Sequence, residues 1–313
     1  MGEGLEISDL SIRFGGIVAL DGVTLAVRPR QIAALIGPNG AGKSTVFNCI
    51  SRLYTPDRGS IRFDGEDLLR LPPDRIITRR IARTFQNLEL FKTMTVRDNL
   101  MVGQNSRVHA DLAQVGILSG AALIGGGVIA LAGGGGASTT VTAAVASGLT
   151  AGGFSLAGGI RLPYMARQDA QQRARADEVM GFLNLRRYAD DVVSSLPYGV
   201  QKRVDIARAL SAAPRLLLMD EPAAGLSHDD MGELATLIHR IRDEFDMAVL
   251  LVEHHMQLVM GISDYIYVLD FGRKIAEGTP DEVRRNPAVI EAYLGEPAEP
   301  RAAEKAVPDA ASQ

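Results

Sequence analysis

Only one cysteine, Cys49, stands among the 313 residues, and tryptophan is absent. A lone thiol cannot close an internal disulfide, so the fold must rest on its core and its hydrogen bonds, as suits a reducing compartment. Cys49 itself reads as a small buried residue. There is no excess of positive charge either: the formal net charge is −4 at pH 7. That balance gives no general electrostatic case for nucleic acid as a partner. The opening Met1-Gly2-Glu3-Gly4 has an acid where a secretory leader carries basic residues, so no signal peptide is expected. Hydrophobic side chains are plentiful, at 46%, and supply a core for one large domain or two small ones.

Gly37-Pro38-Asn39-Gly40-Ala41-Gly42-Lys43-Ser44 has two glycines five apart followed by lysine and a hydroxyl residue. That spacing is a phosphate-binding loop. The apolar run Ile32-Ala33-Ala34-Leu35-Ile36 before it reads as a buried strand, and Ser44 to Ser51 reads as the opening of a helix. The glycines let backbone N–H groups converge on phosphates, and the helix N-terminus adds a positive dipole end. Lys43 can reach the β- and γ-phosphates, Ser44 can ligate Mg²⁺, and Thr45 adds a second hydroxyl.

The run Arg215-Leu216-Leu217-Leu218-Met219-Asp220-Glu221 is a second buried-strand pattern, ending in two carboxylates. Carboxyl ends of strands are where an α/β nucleotide-binding domain places its chemistry. There Asp220 would hold Mg²⁺, directly or through water, and Glu221 would orient and deprotonate an attacking water. Taken alone, the two acids would serve equally well to cap the helix that follows.

With both motifs the chain resembles the ATP-binding cassette (ABC) family from Leu5 to Glu296, outside one central insertion. The resemblance implies an α/β fold: a P-loop NTPase with a RecA-like core, an antiparallel β edge and a helical subdomain. It implies ATP and Mg²⁺ as cofactors and ATP hydrolysis as the activity. Phe14, in Ile12-Arg13-Phe14-Gly15-Gly16, matches the aromatic that stacks on adenine. Gln86, in Thr84-Phe85-Gln86-Asn87, matches the Q-loop glutamine, which senses Mg²⁺ and γ-phosphate. His254, after an apolar strand, matches the switch histidine that contacts the γ-phosphate. His255 has no matched role and reads as surface.

The signature departs from the family pattern. It reads Leu196-Pro197-Tyr198-Gly199-Val200-Gln201, where the usual core is leucine, serine, two glycines and glutamine. Proline offers neither the hydroxyl nor an N–H. What remains to meet an anion is Tyr198 and Gly199 at the start of a helix. The tyrosine, the stretch Asp220-Glu221-Pro222-Ala223-Ala224-Gly225-Leu226, the region from Val252 to Asp264 and the ending Ala292-Tyr293-Leu294-Gly295-Glu296 resemble the ATPases of bacterial importers for branched-chain or hydrophobic amino acids. The implied partners are two permease subunits, a second ATPase and, through the permeases, a solute-binding protein. The implied location is peripheral, on the cytoplasmic face of the membrane. A different cargo, such as a lipid, and a low-turnover nucleotide-binding subunit are the alternatives.

Read coarsely, residues 5–295 form the cassette. Leu5 to Arg28 alternates as antiparallel strands around Gly15-Gly16, and residues 87–212 carry the helical subdomain. Residues 112–160 hold no charged side chain, and seven of the seventeen residues from Ala121 to Ala137 are glycine. This insertion is a flexible loop, a hydrophobic hairpin or, least suited by its glycine content, a membrane span. Arg75, Arg79, Arg80 and Arg83, interleaved with isoleucines, read as a solvated helix face or a lipid-facing one. Residues 296–313 read as a disordered tail.

Overall fold

The structure is a computed structural model that describes residues 3–85, 88–104, 122–124, 127–129 and 156–294. Alternating burial along the first strands sets up a four-stranded sheet. β1 (Leu5–Phe14) and β2 (Ile17–Val27) pair antiparallel around Gly15-Gly16, and β4 (Arg58–Phe63) and β5 (Glu66–Asp67) continue the sheet in the order β2-β1-β4-β5. This is the expected antiparallel β edge.

β3 (Ile32–Ile36), β6 (Ile81–Thr84), β9 (Leu216–Asp220), β10 (Ala248–Val252), β11 (Tyr265–Asp270) and β12 (Arg273–Gly278) form a second sheet in the order β12-β11-β3-β10-β9-β6. At its centre β3 and β10 are wholly apolar and β9 is apolar up to its final Asp220, which suits strands covered on both faces. All pairings are parallel except the β11–β12 hairpin. Period-two alternation sorts the side chains into two cores. Ala34, Ile36, Leu217, Met219, Val249 and Leu251 pack on one face against helices. Ala33, Leu35, Leu216, Leu218, Leu250 and Val252 pack on the other, against the small sheet and the helix Lys43–Ile50.

Residues 96–104 are helical and dock beside the chain near residue 190, where Val96 N donates to Asp191 O at 3.1 Å. Buried Asn99 stitches this corner by donating to the carbonyls of Phe91 and Thr95. The helices Leu156–Phe182 and Tyr198–Ser211 follow, and Pro280–Arg285 and Pro287–Leu294 close the described chain. Within the uncharged insertion the description is limited to the two-stranded ribbon β7 (Ala122–Ile124) and β8 (Gly127–Ile129) and to the helix that opens at Leu156. The expected tail, 296–313, lies outside the described residues.

The arginine-rich stretch corrects an expectation. It is not one helix face: residues 73–79 form two short 3₁₀ turns, Arg80 takes a left-handed conformation with φ 62°, and Arg83 lies on β6. Arg79 pairs with Glu66 at 2.6 Å, and Arg83 points inward. Left-handed Arg80 closes the second turn, and β6 begins at the next residue, so no helix runs through to Arg83.

Candidate nucleotide site

Because β9, β10 and β3 are adjacent and parallel, their carboxyl ends share one edge of the sheet. That edge receives the loop 37–42 from β3, Asp220 and Glu221 from β9, and Glu253 to His255 from β10. Three segments far apart in sequence thereby meet.

The loop can be built only with glycine at two of its positions. Gly37 has φ 150°, and a Cβ there would stand 2.0 Å from the carbonyl oxygen of Leu269. Gly42 has φ 102°, and its Cβ would lie 2.8 Å from the carbonyl oxygen of Ala19. Gly42 is also the N-cap of the helix Lys43–Ile50 and supplies no side-chain cap, so the first-turn amides are left to another acceptor. Asn39 and Gly40 are exposed at the loop tip, while Ala41 is buried beneath it.

Lys43 is buried and bends over this loop, donating to Gly37 O at 2.7 Å and to Pro38 O at 2.8 Å. Burial lowers its pKa, while the fields of Glu221 and then Asp220 oppose that shift. A buried cation beside a collar of backbone amides suits a polyanion such as a triphosphate. Ser44 is exposed and Thr45 half-buried on the first turn.

Asp220 is buried at the end of β9, with its Oδ2 2.7 Å from Arg83 Nη2. Glu221 follows with φ 45°, a strained conformation for a side chain of its size, and its N–H donates to Val252 O at 2.9 Å. That turn lifts the carboxylate off the strand, and its Oε2 stands 3.8 Å from His254 Nδ1. The acids do not cap the next helix. Ser227 caps His228–Glu244, with Asp230 completing a capping box.

Phe14, at the tip of β1, is 43% exposed and meets Tyr54 edge-on, with ring centroids 4.9 Å apart. Tyr54 was not among the residues singled out by sequence; an aromatic just past the phosphate-loop helix is its only local signal. Gln86 lies outside the described residues.

His255 is not a surface residue without a role: it is half-buried, and its Nδ1 lies 3.0 Å from Glu253 Oε2. Glu253, which sequence reasoning passed over, is 1% exposed. Its Oε1 accepts from Ala223 N at 2.7 Å and its Oε2 from His254 N at 3.0 Å and His255 N at 3.2 Å. The three side chains could be read as metal ligands, since their ligand atoms lie within 4.8 Å of one another. The N–H groups already engaging both Glu253 oxygens favour a structural bolt instead.

Tyr198 and Gly199 open the helix Tyr198–Ser211, with Pro197 as an N-cap that makes no side-chain bond. In this chain they lie against the loop after β9. Tyr198 Oη donates to Ala224 O at 3.4 Å, and its ring would stand 3.2 Å from a Cβ on Gly225. One helical turn on, Lys202 Nζ donates to Pro222 O at 3.1 Å and Glu221 O at 3.4 Å. Gly199 has nothing within 4 Å of a built Cβ, so its face is open.

Comparison with known proteins points to one family. The family model described as "ABC transporter" matches residues 20–224, and one described as "Branched-chain amino acid ATP-binding cassette transporter" matches residues 273–299. The chain is 39% identical over 292 residues to the high-affinity branched-chain amino acid transport ATP-binding protein BraF of Pseudomonas aeruginosa, covering 93% of this chain and 98% of that protein. It is 37% identical over 292 residues to the corresponding protein LivG of Escherichia coli, with the same shares covered. Among solved structures, an ATP-binding cassette of an ABC transporter in its ADP conformation superposes with a TM-score of 0.69 at 26% identity, over 95% of this chain and 100% of that one. A family match over more than half the chain, and relatives this similar along nearly their whole length, make this protein a member of the ABC transporter family.

Proposed function

We propose that this chain is the ATP-hydrolysing subunit of an importer for branched-chain or other hydrophobic amino acids. The observation that carries the chemistry is the convergence of Lys43, Asp220, Glu221 and His254 at one sheet edge, with Glu221 and His254 3.8 Å apart. The cargo class rests on the names of the relatives and on the C-terminal match.

In this reading Phe14, with Tyr54 behind it, stacks on adenine. The loop from Gly37 to Gly42, Lys43 and Thr45 hold the β- and γ-phosphates. Glu221 accepts a proton from the attacking water, and His254 fixes the γ-phosphate side of that arrangement. The glycine collar and the buried Lys43 fit a triphosphate, and the donor set of Ser44, Asp220 and Gln86 is all oxygen, as Mg²⁺ prefers. Bound there, Mg²⁺ would neutralise charge developing on the phosphates. Tyr198 and Gly199 would face the nucleotide of a second cassette. The other partners are two permeases and, through them, a solute-binding protein, with the chain peripheral on the cytoplasmic face. Among the described residues no helix is long and apolar enough to cross a membrane. Residues 87–212 would form the helical subdomain, with 112–160 inserted in it and 296–313 as a tail.

Phosphate release from Mg·ATP tests the enzymatic part. Glu221→Gln should bind ATP normally while turnover falls about a hundredfold or more, as expected on losing a general base; turnover near that of the unaltered protein would reject the role. Leucine uptake into vesicles carrying the chain with its permeases tests the cargo. A low-turnover subunit is the second reading, favoured by Pro197, which leaves the signature helix without a side-chain cap. It requires that the isolated chain stay slow until a cassette with an intact signature is added.

A further inference from the structure

Arg83 is held from several sides. Its Nη2 donates to Asp220 Oδ2 at 2.7 Å, and its Nη1 to Asn48 Oδ1 at 2.8 Å and Ser51 Oγ at 3.3 Å. The guanidinium also rests near the rings of Phe47 at 5.5 Å and Phe85 at 5.1 Å. Both side chains of the Arg83–Asp220 pair are only 10% exposed. Phe47 and Asn48 belong to the phosphate-loop helix and Ser51 is its C-cap, so the helix that carries the loop also positions this cation. Such a guanidinium is not a mobile counter-ion: pulling it away would leave a buried carboxylate uncompensated.

We infer that Arg83 is a positioning residue for Asp220 that weakens the site's affinity for a free divalent cation. It fixes Oδ2, leaving Oδ1 outside that pairing, and its charge opposes a second cation at the same carboxylate. The site would then take a divalent cation well only together with a triphosphate, whose negative charge offsets Arg83. This inference rests on the reading of Asp220 as a metal ligand.

The test is direct binding of Mn²⁺, followed by electron paramagnetic resonance on the purified full chain, without nucleotide and with a non-hydrolysable ATP analogue. Arg83→Gln, which can keep an N–H toward Asp220 but removes the charge, should bind Mn²⁺ severalfold more tightly than the unaltered protein when no nucleotide is present. With the analogue bound, the difference should shrink. Arg83→Lys, which keeps the charge, should stay near the unaltered protein. Unchanged or weaker nucleotide-free Mn²⁺ binding in folded Arg83→Gln would overturn the inference. If Arg83→Gln does not fold, Arg83→Lys decides by the same measurement: tighter nucleotide-free binding would overturn the inference, because its charge is intact. Asp220→Asn separates the two layers. If it leaves Mn²⁺ binding intact, the ligand reading of Asp220 fails, whereas a loss there together with no effect of Arg83→Gln sinks only the role of Arg83.

Discussion

The carboxylate of Glu253 accepts a 2.7 Å hydrogen bond from the amide of Ala223, two residues after Glu221. Its other oxygen takes the amides of His254 and His255. One buried anion thereby sets the spacing between the loop that carries the proposed base and the loop that carries the proposed switch histidine. Glu253→Ala would leave three N–H groups without this acceptor. A buried unsatisfied donor costs about 1–3 kcal/mol, so the melting temperature should drop by several degrees. Turnover should fall with it, and Glu253→Gln, which keeps one acceptor oxygen, should lie between. A Glu253→Ala protein as stable and active as the unaltered one would dismiss the bolt.

The edge-on pair of Phe14 and Tyr54 predicts a division of labour. If Phe14 stacks on the base, Phe14→Ala should weaken ATP binding by roughly tenfold, on the scale of about 1–3 kcal/mol for base–aromatic stacking. Tyr54→Ala should cost less, about 0.5–1.5 kcal/mol for a lost aromatic pair. Calorimetric titration with ATP and with tripolyphosphate distinguishes the cases. The inorganic chain lacks a base and should bind both variants like the unaltered protein.

Two loop glycines should respond differently to alanine. At Gly37 the added carbon meets the Leu269 carbonyl at 2.0 Å, so Gly37→Ala must displace β11 or the loop, and both stability and ATP binding should be lost. At Gly40 nothing lies within 4 Å, and the only penalty is the φ of 80°, about 1–2 kcal/mol for a non-glycine residue in the left-handed region. Gly40→Ala should therefore fold, with a modest loss read by thermal melting. The reverse ranking would mean that the loop is built otherwise.

Cys49 is fully buried, and that burial pushes its thiol up to about 11 from 9.0, partly opposed by the field of Arg52. A raised folded-state pKa means that the unfolded chain releases its proton first. The stability Cys49 contributes is therefore complete below about pH 9 and is lost as pH rises toward 11. Chemical denaturation between those values should show a slope that Cys49→Ala reduces. At pH 8 the native thiol should react with a disulfide reagent far more slowly than the unfolded one. A slope identical in both proteins would rule out this contribution.

Much of this protein is determined by short-range pattern. The phosphate loop, the apolar runs of β3, β9 and β10, the turn at Gly15-Gly16 and the closing helices all follow from residues within a few positions of one another, because glycine conformation and strand burial are local demands. Asp220 and Glu221 were legible for the same reason, since they sit just where an apolar strand stops, whereas His254 was singled out by the family resemblance. What tertiary structure alone decided is which strand ends are neighbours. β6 lies beside β9 although Arg83 and Asp220 are 137 residues apart, and no local pattern distinguishes an inward arginine from the three around it. Tyr54 gains its place only when the chain after the phosphate-loop helix returns to the tip of β1, and Glu253, whose other two amide donors are its own next residues, gains the amide of Ala223 only when β10 docks against β9. Sequence supplies the chemical groups. Strand order supplies their distances, because parallel crossovers place side by side segments that the chain keeps far apart.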